Sequence, residues 1–141
     1  MMRKLVGALL GAVLVWCSAA PAKAQQLAVY SVQPAASDNH ATIKAGPGSV
    51  YKISAFNNSA TINYIRLYDA GANFNGCNSA SGLRWRGMIP GSTSGAGLSE
   101  SWPADGMAFG LGIAICITSV YGDTDTTAAT ASALLVNIGY R

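Results

Sequence analysis

Histidine is almost missing from this chain: among 141 residues there is one, His40. Nucleophilic hydrolysis by serine or cysteine ordinarily needs a histidine as base. Any such site would hang on His40 and its neighbour Asp38, and no nucleophile-elbow motif accompanies them. A histidine in a surface loop is the simpler reading. Charge is scarce as well, at 11% of residues. Nine Lys and Arg stand against six Asp and Glu, but Arg3, Lys4 and Lys23 fall in the N-terminal segment and leave six against six. A neutral domain lacks the electrostatic footprint of a nucleic-acid binder, so no nucleic-acid partner is expected. Cysteine is sparse too: one histidine and three cysteines cannot close a four-ligand zinc site once two of those cysteines pair. Paired carboxylates for glycoside hydrolysis could be drawn from six acids, but nothing singles out a pair. No cofactor motif is present, and the chain reads as a non-enzyme.

The residues before position 25 read as an address. Arg3 and Lys4 form a positive start, Leu5–Trp16 is an apolar run of 12 residues, and Ala22-Lys23-Ala24 offers a small-x-small cleavage site. That run is shorter than the ~20 residues a membrane helix needs, and Pro21 follows it. Residues 1–24 are therefore expected to be a secretory signal and residues 25–141 the mature domain, periplasmic or extracellular, with no membrane span after cleavage. Cleavage removes Cys17 and leaves Cys77 and Cys116. In an oxidising compartment that pair reads as one disulfide, which would close a loop of about 40 residues and stabilise by about 4 kcal/mol; two buried thiols are the alternative.

What the chain does have is a period of two. From Met107 to Val120 the odd positions Met107, Phe109, Leu111, Ile113, Ile115 and Ile117 are large and apolar. The even positions Ala108, Gly110, Gly112, Ala114, Cys116 and Thr118 are small. Successive strand side chains face opposite ways, so this stretch predicts a central strand with a large face toward the core. Its small face would let another layer, or a disulfide, come close. Leu27–Val32, His40–Ala45, Ser49–Phe56, Thr61–Tyr68, Leu83–Ile89 and Ser132–Arg141 are further strand candidates. Gly46-Pro47-Gly48 predicts a turn that makes a hairpin of the second and third. In Thr61–Tyr68, Arg66 interrupts the face of Ile62, Tyr64 and Tyr68, and that end is expected to reach solvent. Gly91–Gly97 reads as a flexible loop. The expectation is all-β: a single β-sandwich, with a jelly roll among the options, of about six to seven short antiparallel strands.

Three patterns could carry binding. Asp123 and Asp125, flanked by threonines, could offer oxygens to a cation, although two carboxylates make a weak site and both residues are ordinary turn formers. Asp69-x-Gly71-x-Asn73-x-Asn75-Gly76 has calcium-loop spacing, but Gly71 stands where a ligand is wanted and Ala80 where a bidentate Glu belongs. Arg84-Trp85-Arg86 joins charge to an aromatic. In a strand the two arginines would share one face and Trp85 would turn to the core. Trp85 or Trp102 could serve as a stacking platform for carbohydrate.

Two segments carry a resemblance. They are Ile43-Lys-Ala-Gly-Pro-Gly-Ser-Val-Tyr-Lys-Ile-Ser-Ala-Phe-Asn-Asn-Ser-Ala-Thr-Ile-Asn-Tyr-Ile-Arg-Leu-Tyr-Asp69, and Gly110–Tyr140 with its Gly-Ile-Ala-Ile-Cys-Ile-Thr core, Asp-Thr-Asp-Thr-Thr loop and Val-Asn-Ile-Gly-Tyr ending. They resemble small β-domains of tailed bacteriophages and prophages, found as virion structural or decoration modules. The resemblance implies a non-enzymatic domain that packs against other protein copies or a surface. The export signal departs from that pattern. The resulting expectation is an exported structural or protein-interaction module whose partners are other protein copies, in a homo-oligomer, or a cell-surface component. The alternative is a secreted carbohydrate-binding sandwich using Trp85 or Trp102.

Overall fold

The computed structural model describes residues 26–92 and 94–141, so the expected signal at 1–24 lies outside the described residues. Nine strands follow in order: β1 (Ala28–Val32), β2 (Ala41–Lys44), β3 (Gly48–Asn57), β4 (Asn63–Asp69), β5 (Leu83–Ile89), β6 (Ala96–Ser101), β7 (Met107–Phe109), β8 (Ile113–Thr118) and β9 (Leu134–Tyr140). They form two antiparallel sheets. One has five strands in the order β1-β9-β3-β6, with β7 also on β3; the other has four, in the order β2-β8-β4-β5. The long β3 pairs with β9 along one edge and, on the other, with β7 through Gly48–Val50 and β6 through Lys52–Asn57.

The core lies between the sheets. Val50, Ile53, Phe109, Leu134, Val136 and Ile138 meet Ile65, Leu67, Ile89, Ile113, Ile115 and Ile117 in one buried cluster. On most strands these are alternate positions, so the period of two in the sequence becomes the inner face of each sheet; on β3 a register shift between Val50 and Lys52 turns both Val50 and Ile53 inward. β8 is buried throughout. Its large residues enter the central core, while Ala114 and Cys116 form a second cluster with Tyr68 and Cys77, packed by Ala70, Phe74 and Leu83. The small face thus receives another layer, the β4–β5 loop, clipped down by the Cys77–Cys116 disulfide across Cα atoms 5.8 Å apart.

Four local expectations are corrected. The Met107–Val120 strand is two strands in different sheets, β7 and β8, separated at Gly110-Leu111-Gly112. Asp69, at the end of β4, causes the break: its carboxylate accepts from the amides of Gly110, Leu111 and Gly112 at 3.0, 2.7 and 3.4 Å, using donors a continuous strand would have placed in a ladder. Gly112 fits there because a Cβ would sit 2.5 Å from the Ala70 carbonyl and 2.6 Å from that of Lys44. Next, β2 and β3 are not a hairpin, since β2 pairs with β8 and β3 with β9. The Gly46-Pro47-Gly48 turn, closed by Lys44 Nζ on the Pro47 carbonyl at 2.6 Å, carries the chain from one sheet to the other. Turn residues specify a bend, and the partner of each arm is a separate matter. Third, Ala96–Ser101, read partly as loop, is β6, where β3 supplies the ladder that its Gly- and Ser-rich composition does not advertise. With the split strand, this takes the count from six or seven to nine. Finally, Arg66 does not mark a solvent-facing end. It is 2% exposed.

Candidate functional site

Arg66 is buried because the loop after β8 wraps around it. Its Nη1 donates to the Gly122 carbonyl, and its Nη2 donates to the Asp125 carbonyl at 2.6 Å and to Thr118 Oγ1 at 3.2 Å. All three partners are neutral oxygens, and Nε has no partner. Beside it, Arg86 on β5 grips Asp123 with two parallel bonds of 2.6 Å each. That fork holds the Asp123 carboxyl below its usual range, with the Arg86 hydrogen bond as the main cause. Tyr68 adds a third tie, donating its hydroxyl to the Asp123 carbonyl at 3.2 Å; burial pushes its phenol pKa up.

These ties fix residues 120–125 against the outer face of the four-stranded sheet and set Tyr121 edge-on to Tyr64, with centroids 5.5 Å apart. Met88 lies directly across from Tyr64 in the β4–β5 ladder. Together they line a cavity of about 480 Å³ bounded by Tyr64, Arg66, Arg86, Met88, Tyr121 and Asp123. The other half of this face is covered by the disulfide-held loop, whose residues line a second, shallow cavity with Leu111.

The opposite face of the sandwich is different. The register places Val29 and Ser31 of β1, Leu135, Asn137 and Gly139 of β9, Lys52, Ser54 and Phe56 of β3, and Gly97, Ser99 and Ser101 of β6 on the outer side of the five-stranded sheet. Lys52 is the one charged residue among these positions; Arg141, bonded to Ser49 just past β9, lies over the Tyr51 ring. Val29, Phe56 and Leu135 are 66%, 51% and 46% exposed, and Phe56 and Leu135 are direct cross-strand partners.

The residues singled out in the sequence are distributed as follows. Cys77 and Cys116 are joined. The Arg84-Trp85-Arg86 triplet does not act as a unit: Arg84 reaches the Ala108 carbonyl at 3.3 Å, while Arg86 holds Asp123. Trp85 does turn to the core side. It lies half-buried and edge-on to Trp102 at 5.7 Å, with its indole N–H donated to Glu100 at 3.1 Å. Neither tryptophan lines either cavity just described. Asp123 and Asp125 do not converge on a common point: Asp123 faces Arg86, and Asp125 accepts from the amide and hydroxyl of Thr127 at 3.2 and 2.8 Å. Asp69, the first residue of the calcium-like spacing, is engaged with the amides at 110–112. Among the described residues no three His, Cys, Asp or Glu cluster as a metal site would need, and no helix is long and apolar enough to cross a membrane. His40 Nδ1 sits 2.8 Å from Asp38 Oδ1. Partial burial works against the Asp38 charge, and the hydrogen bond and charge of His40 outweigh it, holding that carboxyl below its usual range.

Sequence reasoning assigned no binding role to Tyr64, Arg66, Met88 or Tyr121. The available signal was the lone arginine inside an otherwise apolar strand, which marks either an exposed end or a buried cation with dedicated partners. No family model matches this chain, and no curated protein matches it in sequence.

Proposed function

We propose that this protein is an exported, non-enzymatic β-sandwich that works by packing against further copies of itself, as the resemblance to phage virion modules implies. The observation that carries this reading is the outer face of the five-stranded sheet. A sheet face left to solvent normally alternates apolar-in with charged or polar-out positions. Here the outward positions of β1, β9, β3 and β6 are mostly Ser, Asn and Gly with the exposed Phe56–Leu135 pair, and Lys52 is the one charge among them. Low charge with an exposed aromatic, here at the end of the sheet where β3 finishes, fits the charge-depleted and aromatic-enriched composition of interface cores, and a face without a strong field of its own can meet its own copy without repulsion.

The test is the oligomeric state of the exported protein by size-exclusion chromatography with light scattering. The wild type is expected to form a closed oligomer. Phe56→Glu and Leu135→Glu, at exposed positions, are expected to give folded monomers with an unchanged far-ultraviolet spectrum. A wild type that stays monomeric across the accessible concentration range overturns the reading.

A further inference from the structure

On the other sheet, the cavity between β4, β5 and the 120–123 loop carries a separate message. Its volume, about 480 Å³, falls within the range of small-ligand sites. Its walls are the edge-to-face rings of Tyr64 and Tyr121 together with the thioether of Met88, and Tyr121 and Met88 are 68% and 50% exposed. The charges lining it are unequal: Arg66 and Arg86 against Asp123. Asp123 is matched by Arg86. Arg66, 2% exposed, has three neutral oxygens as hydrogen-bond acceptors, an unpartnered Nε, and no carboxylate within ion-pair distance among the described residues. The Asp125 carboxylate, on the residue whose carbonyl accepts from Arg66, is occupied by Thr127. Asp123 is close enough for Arg66 to act on its charge, but one carboxylate stands against two guanidinium groups here. A buried cation without a direct ion pair is costly to maintain, so an anion seated in the cavity would balance the surplus.

We infer that this cavity binds a carboxylate-bearing sugar, a uronic acid residue of an acidic polysaccharide. The carboxylate answers the surplus guanidinium charge. The pyranose ring presents apolar C–H faces to the tyrosine rings, as sugars do on aromatic platforms. The carboxylate takes the remaining N–H groups of Arg86, while the sugar hydroxyls find the free lone pairs of Asp123 and the tyrosine hydroxyls. An acidic peptide fits less well. Extended peptides gain affinity by adding to a free strand edge, whereas the side chains that line this cavity, Tyr64, Arg66, Arg86 and Met88, share one face of the paired β4 and β5 and not the outer edge of β5. The floor is a sheet face, which offers side chains and no ladder.

The test is isothermal titration calorimetry of the exported protein with trimers of galacturonate, glucuronate and guluronate, their methyl esters, and hexaglutamate. One of the carboxylated trimers is expected to bind saturably, and its methyl ester about tenfold more weakly, since a charge-assisted hydrogen bond is lost. Tyr121→Ala and Arg86→Gln are each expected to weaken binding about tenfold with the far-ultraviolet spectrum unchanged. Absence of saturable binding by all three acids overturns the inference. So does an ester that binds as well as its acid, or hexaglutamate binding as tightly as the sugars. The proposed packing face is on the opposite sheet, so Phe56→Glu should leave sugar binding intact, and the two proposals fail separately.

Discussion

The Asp69 carboxylate accepts a 2.7 Å hydrogen bond from the Leu111 amide, tying the end of β4 to the point where the chain leaves one sheet for the other. Gly110 and Gly112 donate to the same carboxylate at 3.0 and 3.4 Å. A single side chain therefore satisfies the backbone donors of a crossover that would otherwise present unpaired amides between β7 and β8. Asp69→Ala is expected to cost about 1–3 kcal/mol, the range for orphaning part-buried donors, with Asp69→Asn keeping part of the loss back. Urea denaturation of the two variants checks both figures.

The same carboxylate sets an acid limit. Partial burial opposes its charge, but the three amide bonds outweigh that and lower its pKa below the ordinary value. A group with a lowered folded pKa adds stability above its unfolded pKa of about 3.9 and loses it as pH falls through the folded value. The stability of the wild type is therefore expected to fall below about pH 4 more steeply than that of Asp69→Asn. Parallel acid slopes for the two proteins would contradict the role given to Asp69.

Arg66 holds the 122–125 loop through the carbonyls of Gly122 and Asp125. Removing it leaves those oxygens without their donor and opens a hole beneath the loop. Arg66→Ala is expected to destabilise by about 3 kcal/mol, as breaking a buried charged network does. Limited proteolysis should then cut at 121–125, a region expected to resist in the wild type. Arg66→Lys should not rescue, because one ammonium group cannot reproduce the guanidinium fork.

The disulfide pins the β4–β5 loop over Ala114 and Cys116. Replacing both cysteines by alanine is expected to cost about 2–4 kcal/mol by releasing the cross-link. Calorimetry under oxidising and reducing conditions checks this: the wild type should lose stability on reduction, and the double variant should not respond.

Two glycines provide a matched contrast. A methyl at Gly112 would meet backbone carbonyls of Ala70 and Lys44 at 2.5 and 2.6 Å, whereas one at Gly46 would meet nothing within 4 Å. Backbone cannot step aside as a side-chain tip can, so Gly112→Ala is expected to cost about 2 kcal/mol or more. Gly46→Ala should be neutral or stabilising by about 0.5 kcal/mol through the unfolded chain. Equal melting temperatures for the two would contradict the crossover packing.

The sequence by itself determined the local content of this protein. Alternation along Ile113–Thr118 and Leu134–Tyr140 marks the strands and their buried faces, because side-chain direction in a strand is fixed by the pleat. The small face of β8 foretold a close-packed second layer, and the pairing of Cys77 with Cys116 follows from the sequence only on the expectation that Cys17 belongs to a signal segment. Only the tertiary structure decided which sheet each strand joins. β9, the last strand in sequence, lies between β1 and β3, and Gly46-Pro47-Gly48 bends the chain between sheets where a hairpin would have kept it in one. It also decided the roles of Arg66, Asp69 and Tyr121, whose partners are about 40 to 60 positions away in sequence. The physical reason is one of range. A strand's period is written in adjacent residues, whereas its neighbours, and the counter-charges or acceptors of its polar side chains, are supplied by distant segments that meet only when the two sheets close on their core.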